Sequence, residues 1–183
     1  MTKPSSAPTS SRQRGASLIE CLIGLATAGV ALGASLPSFE LTSARRHLDG
    51  AAAQLETDLH LARSVAVASN RNVRMTFFRD ADGSCYVVHS GAADACTCGA
   101  DGMATCSAGN ESVRSVRLKA DSAVQLNANV RSIVFDATIG TITPTGTLRL
   151  STHQAGSVHL IVNVMGRTRS CSPGGTVPGH PAC

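Results

Sequence analysis

Between Ala16 and Leu36 the chain runs for 21 residues with a single charge, Glu20, and then meets Pro37. As an α-helix this stretch is about 32 Å long, which matches the hydrocarbon thickness of a bilayer. A cleaved secretory signal would have a shorter apolar region ending at an Ala-x-Ala-like site. The stretch "LGASLPSF" offers only a poor version of one. Lys3, Arg12 and Arg14 precede the run with no acid among them. That asymmetry puts the N-terminus in the cytoplasm and the rest of the chain outside. Glu20 is the feature to explain. A carboxylate costs about 2.5–3.5 kcal/mol at the centre of a membrane helix and less near an end. It must either stay hydrated near the surface or find a cation.

The residues around Glu20 carry a resemblance. Gly15 followed by Ala16-Ser17-Leu18-Ile19-Glu20 resembles the prepilin peptidase site of type IV pilins and type II secretion pseudopilins. The resemblance implies a leader, residues 1–15, removed after Gly15 by prepilin peptidase, and N-methylation of Ala16. It also implies that Glu20 pairs with the new terminal amine of a neighbouring subunit during assembly. Pro37 matches a proline that many pilins carry. On this reading the span, residues 16–36, anchors the protein in the inner membrane with its head in the periplasm. After assembly the same helix becomes filament core and the head is extracellular. Gly29 and Gly33 form a small-xxx-small step that would let helices approach closely. Cys21 reads as a small apolar packing residue.

The head, residues 37–183, begins with a helical pattern. Leu41, Leu48, Leu55, Leu59 and Ala62 recur on one face, with Arg45, Arg46, Asp49, Glu56 and Asp58 between them. This predicts an amphipathic helix to about Ser69, stopped at Asn70. Alternating runs follow at Asn72–Phe78, Cys85–His89, Val113–Leu118, Ile133–Asp136, Thr147–Ser151 and Val158–Val164. The stretch "RDADGS" predicts a hairpin turn and "GTITPTGT" another. Strands without intervening helices imply an antiparallel sheet packed on the helix, an α+β fold. Only 3% of residues are aromatic and none is Trp, so Val, Ile, Leu and Ala must fill the core. Ala62, Arg63, Ala66 and Asn70 also resemble the helix end of the GspH/FimT branch of minor pilins and pseudopilins.

Six cysteines lie beyond the apolar run: Cys85, Cys96, Cys98, Cys106, Cys171 and Cys183. An even count in an exported chain predicts disulfides. Cys171–Cys183 is the preferred pair because it closes the Gly/Pro-rich tail "SPGGTVPGHPA". The segment from Gly91 to Ser112, with Cys96, Cys98 and Cys106, reads as too polar and small in its side chains to build a core. A zinc site there, with His89, is the rival to disulfides, but its spacing matches no common finger. The remaining histidines are scattered. No nucleophile elbow, Walker loop or paired carboxylates point to an enzyme, and no cofactor is implied.

The last third is basic. From Arg114 to the end there are seven Lys and Arg against Asp121 and Asp136. In "NVMGRTRSC", Gly166 interrupts an apolar run, and Arg167 and Arg169 follow. In an extended chain their side chains share a face about 6.5–7 Å apart, and guanidinium suits phosphate. Gly-Arg-Thr-Arg resembles the Gly-Arg-x-Arg motif of FimT-type minor pilins, which is implicated in binding DNA for natural transformation. The resemblance implies DNA as a partner of Gly166, Arg167 and Arg169. Arg114, Arg117 and Lys119 are further candidates by composition, with Arg114 and Lys119 on opposite faces of a strand. The alternative is a structural minor pilin, or a pseudopilin of a type II secretion system at the filament tip, without DNA binding.

Overall fold

The computed structural model describes residues 17–183, with the backbone alone described at 31, 32 and 34–38. The expected leader, with Gly15, and the expected new terminus, Ala16, lie outside the described residues. Two compact units divide the chain at Phe39 and Glu40. A single helix, α1, is assigned over Leu18–Ser69. Its start has the Ser-x-x-Glu pattern of a capping box: Glu20 N–H donates to Ser17 Oγ at 3.3 Å. Glu20 therefore sits in the first helical turn, where the helix dipole favours a negative charge. Leu18, Ile19, Leu22, Ile23, Leu25 and Val30 of the first unit are exposed. Among the described residues no helix is long and apolar enough to cross a membrane. The run read as a span, residues 16–36, extends into positions that the description does not cover.

In the second unit, α1 buries Leu48, Ala52, Leu55, Leu59, Ala62 and Ala66. Their spacing of four and three residues makes one continuous stripe. Leu41, expected on that stripe, is only half-buried, and the two alanines at 52 and 66 complete it instead. Each buried Leu contributes about 1.5–3 kcal/mol. Asn70 ends the helix with φ of 51°. Arg71 N–H donates to Ala66 O at 3.2 Å and Asn70 N–H to Val67 O at 3.4 Å, a Schellman cap.

The strands form two main sheets rather than the single sheet expected. The first orders β5-β2-β1-β7-β8, from Ser112–Lys119, Gly83–Ser90, Val73–Asp80, Ser132–Phe135 and Ile142–Thr143. The second orders β11-β10-β9-β6, from Thr168–Cys171, Gly156–Val162, Gly146–Thr152 and Gln125–Ala128. All ladders are antiparallel. Val73 and Met75 of β1, Tyr86 and Val88 of β2, and Leu148, Leu150, Val158, Leu160 and Val162 of the second sheet join the α1 stripe in one core.

A third, two-stranded piece corrects the reading of residues 91–112. Cys96–Cys98 (β3) pairs with Ala104–Cys106 (β4). Cys96 packs with Cys85 and Val87 in a second small core, with Phe78, Cys98, Ala104 and Cys106 around it. The disulfides Cys85–Cys98 and Cys96–Cys106 tie the hairpin to β2 and close it on itself. Cross-links supply here what small side chains cannot: they remove chain entropy and fill space with sulfur. The third pair is Cys171–Cys183. Cys21 is free and exposed. His89 contributes to hydrogen bonding, with Thr76 Oγ1 at 2.8 Å and Ser90 O at 2.8 Å.

Candidate nucleic-acid interface

The stretch carrying the basic motif is built around one asparagine. After β10 ends at Val162, the Asn163 N–H donates to Arg167 O at 3.1 Å, and Gly166 N–H donates to Asn163 O at 3.0 Å. Asn163 Oδ1 accepts from Arg167 N–H at 2.9 Å. This closes a tight turn and starts β11 in a fixed register, with Val162 opposite Thr168, Ile161 opposite Arg169 and Leu160 opposite Ser170. Leu160 and Val162 are in the core, so Arg169 stands with Ile161 on the outer face. Arg167, in the turn, and Arg169 are both exposed and in no ion pair among the described residues.

The same register argument finds a cation that the sequence reading passed over. On β9, Leu148 and Leu150 point into the core. Arg149 between them is exposed, opposite His159 of β10 and Asn127 of β6. The outer face of the second sheet thus carries Arg149 and Arg169 with His159 between their strands. None of its four strands contains Asp or Glu. Burial holds the His159 imidazole below its usual pKa, and Arg149 pushes the same way. The sequence signal was available: Leu-Arg-Leu in an alternating strand puts the Arg outside.

Gly166 is buried with φ of +75°. A Cβ built there would lie 3.1 Å from Nη1 of Arg63, and one on Gly140 (φ +65°) would lie 3.0 Å from Nε of the same side chain. The glycine of the motif therefore seats a guanidinium from α1.

Arg114, Arg117 and Lys119 lie on β5, in the other sheet, and do not join Arg167 and Arg169. The Arg117 side chain is 6% exposed. Its Nη2 donates to both carboxylate oxygens of Asp80 at 2.9 Å, and Nη1 donates to Gly99 O at 3.3 Å. Arg114 Nε lies 3.5 Å from Oδ2 of the buried Asp58. Lys119 is exposed at the strand end. Arg114 shares a side with the core residues Val116 and Leu118, while Arg117 and Lys119 face the other way, as strand alternation requires. Among the described residues no group of three His, Cys, Asp or Glu could hold a metal ion.

The family model described as "Type II transport protein GspH" matches residues 51–166, more than half of the chain. No curated protein matches the sequence. Among solved structures, the Pseudomonas aeruginosa (strain PAO1) type IV minor pilin FimU, in a P21 crystal, is similar with a TM-score of 0.52 and 22% identity. That match covers 74% of this chain and 96% of FimU. The P65 crystal of FimU gives a TM-score of 0.48 at 22% identity, over 73% of this chain and 98% of that one. At such identity the likeness is one of fold alone. The chain belongs to the GspH family: it is a pilin-like protein of the GspH/FimT kind, whose members assemble with other pilin subunits.

Proposed function

We propose that this protein is a minor pilin of a type IV pilus that binds extracellular DNA through a basic outer face and supports DNA uptake in natural transformation. The observation that carries the reading is the four-stranded sheet without a single acid, from which Arg149 and Arg169 project, with Arg167 in the adjoining turn. Phosphate contacts of this kind position a duplex and do not read its sequence. Binding is therefore weak, salt-sensitive and indifferent to base order. In the same proposal, prepilin peptidase removes residues 1–15 at the inner membrane, and Glu20 meets the amine of Ala16 on a neighbour. The exposed apolar side chains of Leu18 to Val30 support it, since they need lipid or neighbouring helices to cover them.

The test is duplex binding by the wild type and by the double variant Arg167→Gln/Arg169→Gln across a salt series. Each lost phosphate contact reduces the slope of log K against log salt by about 0.9. The double variant should bind more weakly, with a slope flatter by about 2. Unchanged binding together with unchanged transformation would remove DNA from the proposal.

The matched family's own description favours a second reading, a structural subunit of a type II secretion filament without DNA binding. In that case deletion abolishes secretion while the double glutamine variant secretes normally.

A further inference from the structure

At the end of the head where α1 finishes, a charged group lacks a partner, and the three segments that hold it carry four exposed apolar residues. Arg63 is half-buried and has no hydrogen bond or ion pair among the described residues. Its guanidinium is wedged between the backbones of Gly140 and Gly166, so it cannot swing freely into water. One helical turn further along α1, on the same side as Arg63, is Val67, 53% exposed. Beside Gly140 is Ile139, 70% exposed, and beside Gly166 is Met165, 59% exposed. Val164, 49% exposed, lies two residues before Gly166; its carbonyl accepts from Ile142 N–H at 2.8 Å, and Ile142 Cδ1 lies against Gly166.

We infer that this surface is a docking site for the head of another pilin subunit, and that Arg63 receives a carboxylate which the partner presents among apolar side chains. The inference rests on family membership and not on DNA binding. Three observations select this occupant. Exposed large apolar residues, Met165 among them, on the segments that hold a restrained Arg give the composition of an interface core, where Met and Arg are enriched. A guanidinium already partly desolvated and held in place gains more from a carboxylate than a free surface Arg does. Nucleic acid does not account for this patch: phosphates suit the exposed Arg167 beside it, while the four apolar side chains gain nothing from them. A second copy also fits poorly. A two-fold contact brings the same patch to itself, and the nearest acid in its loops, Asp136, is half-buried. The Asp136 carboxylate already accepts from Thr138 and Ile139 N–H at 2.8 and 3.0 Å.

The experiment uses the full chain in its own pilus- or secretion-competent host. A photo-reactive phenylalanine analogue replaces Ile139, and the cross-linked product is identified by mass spectrometry. The expected product joins position 139 to the head of a different prepilin-type chain. Adding Arg63→Glu should lower its yield by about tenfold or more, since it sets two like charges against each other. Met165→Glu, at an exposed position that cannot disturb the core, should lower the yield similarly. Exchanging the carboxylate nearest the cross-link on the partner for Lys should restore the yield in the Arg63→Glu background. A product with a second copy of this chain, a nuclease-sensitive product, a non-pilin partner, or no product from a protein present at wild-type level would each overturn the inference. Loss of DNA binding in the Arg167/Arg169 variant with the cross-link intact would leave it standing.

Discussion

The hydroxyl of Tyr86 donates a 2.7 Å hydrogen bond to Oδ2 of Asp58, joining the middle of β2 to the buried face of α1. Burial raises the phenol's pKa, and the adjacent carboxylate raises it further. The proton therefore stays on Tyr86, and Asp58 remains an acceptor that Arg114 also approaches. Tyr86→Phe leaves the carboxylate without its best donor, and Asp58→Ala leaves a buried hydroxyl unpaired. Each should cost about 1–3 kcal/mol. Denaturant midpoints should fall with unchanged m-values, because the helix stays docked by its leucines.

His89 makes stability depend on pH. Its ring is fully buried, donates from Nδ1 to Ser90 O and accepts at Nε2 from the Thr76 hydroxyl. Burial pushes its pKa below 6.5; the Ser90 bond opposes this, and nearby Arg74 adds to it. The unfolded chain then takes up a proton more readily than the folded one, so stability rises with pH in this window. It should be complete above about pH 6.5 and decline as pH falls below that value. Denaturant midpoints from pH 7.5 to 5 should show the decline, and His89→Gln should flatten it. His159 contributes with the same sign but less, being partly exposed.

Gly166→Ala should destabilise more than Gly109→Ala. Both have positive φ, +75° and +81°, so both incur the left-handed backbone cost of about 1–3 kcal/mol. At Gly109 nothing lies within 4 Å of the new Cβ, whereas at Gly166 Arg63 must move. The difference between the two melting midpoints measures that seat.

Opening Cys171–Cys183 with a double serine variant should cost about 3 kcal/mol, for a separation of 12 residues. Cys171 lies two residues beyond Arg169 on the edge strand β11, so DNA affinity should fall as well, although no cation has been removed. Chemical denaturation and the salt series together separate the two effects.

Arg149 and Arg117 should behave in opposite ways. Arg149→Gln should leave stability within about 0.5 kcal/mol of wild type, as surface substitutions do, and flatten the salt slope by about 0.9. Arg117→Gln strands Asp80 and should lower the melting midpoint with no change in slope.

Much of this was legible in the linear chain because it depends on local periodicity. The α1 stripe at Leu48, Leu55, Leu59 and Ala62, the stop at Asn70, and six strands carry their own alternation. The strands β3, β4, β6, β8 and β11 do not. They have two to four residues and lack the apolar run that marks the equally short β7, and each is held by something distant: a disulfide, or a neighbour in the sheet.

The sequence by itself determined the apolar helix with its acid in the first turn, the α+β order of elements and the basic excess of the last third. All of these are set by composition and by spacing within a few residues. Only the tertiary structure decided which cations are available. Arg117 and Arg167 look alike in the chain, yet one lies against Asp80 and the other stands in an open turn. Likewise Arg63 comes to rest on Gly166, about a hundred residues away in the chain. A charge is free or spent according to what long-range packing brings within 4 Å of it, and no local pattern contains that distance.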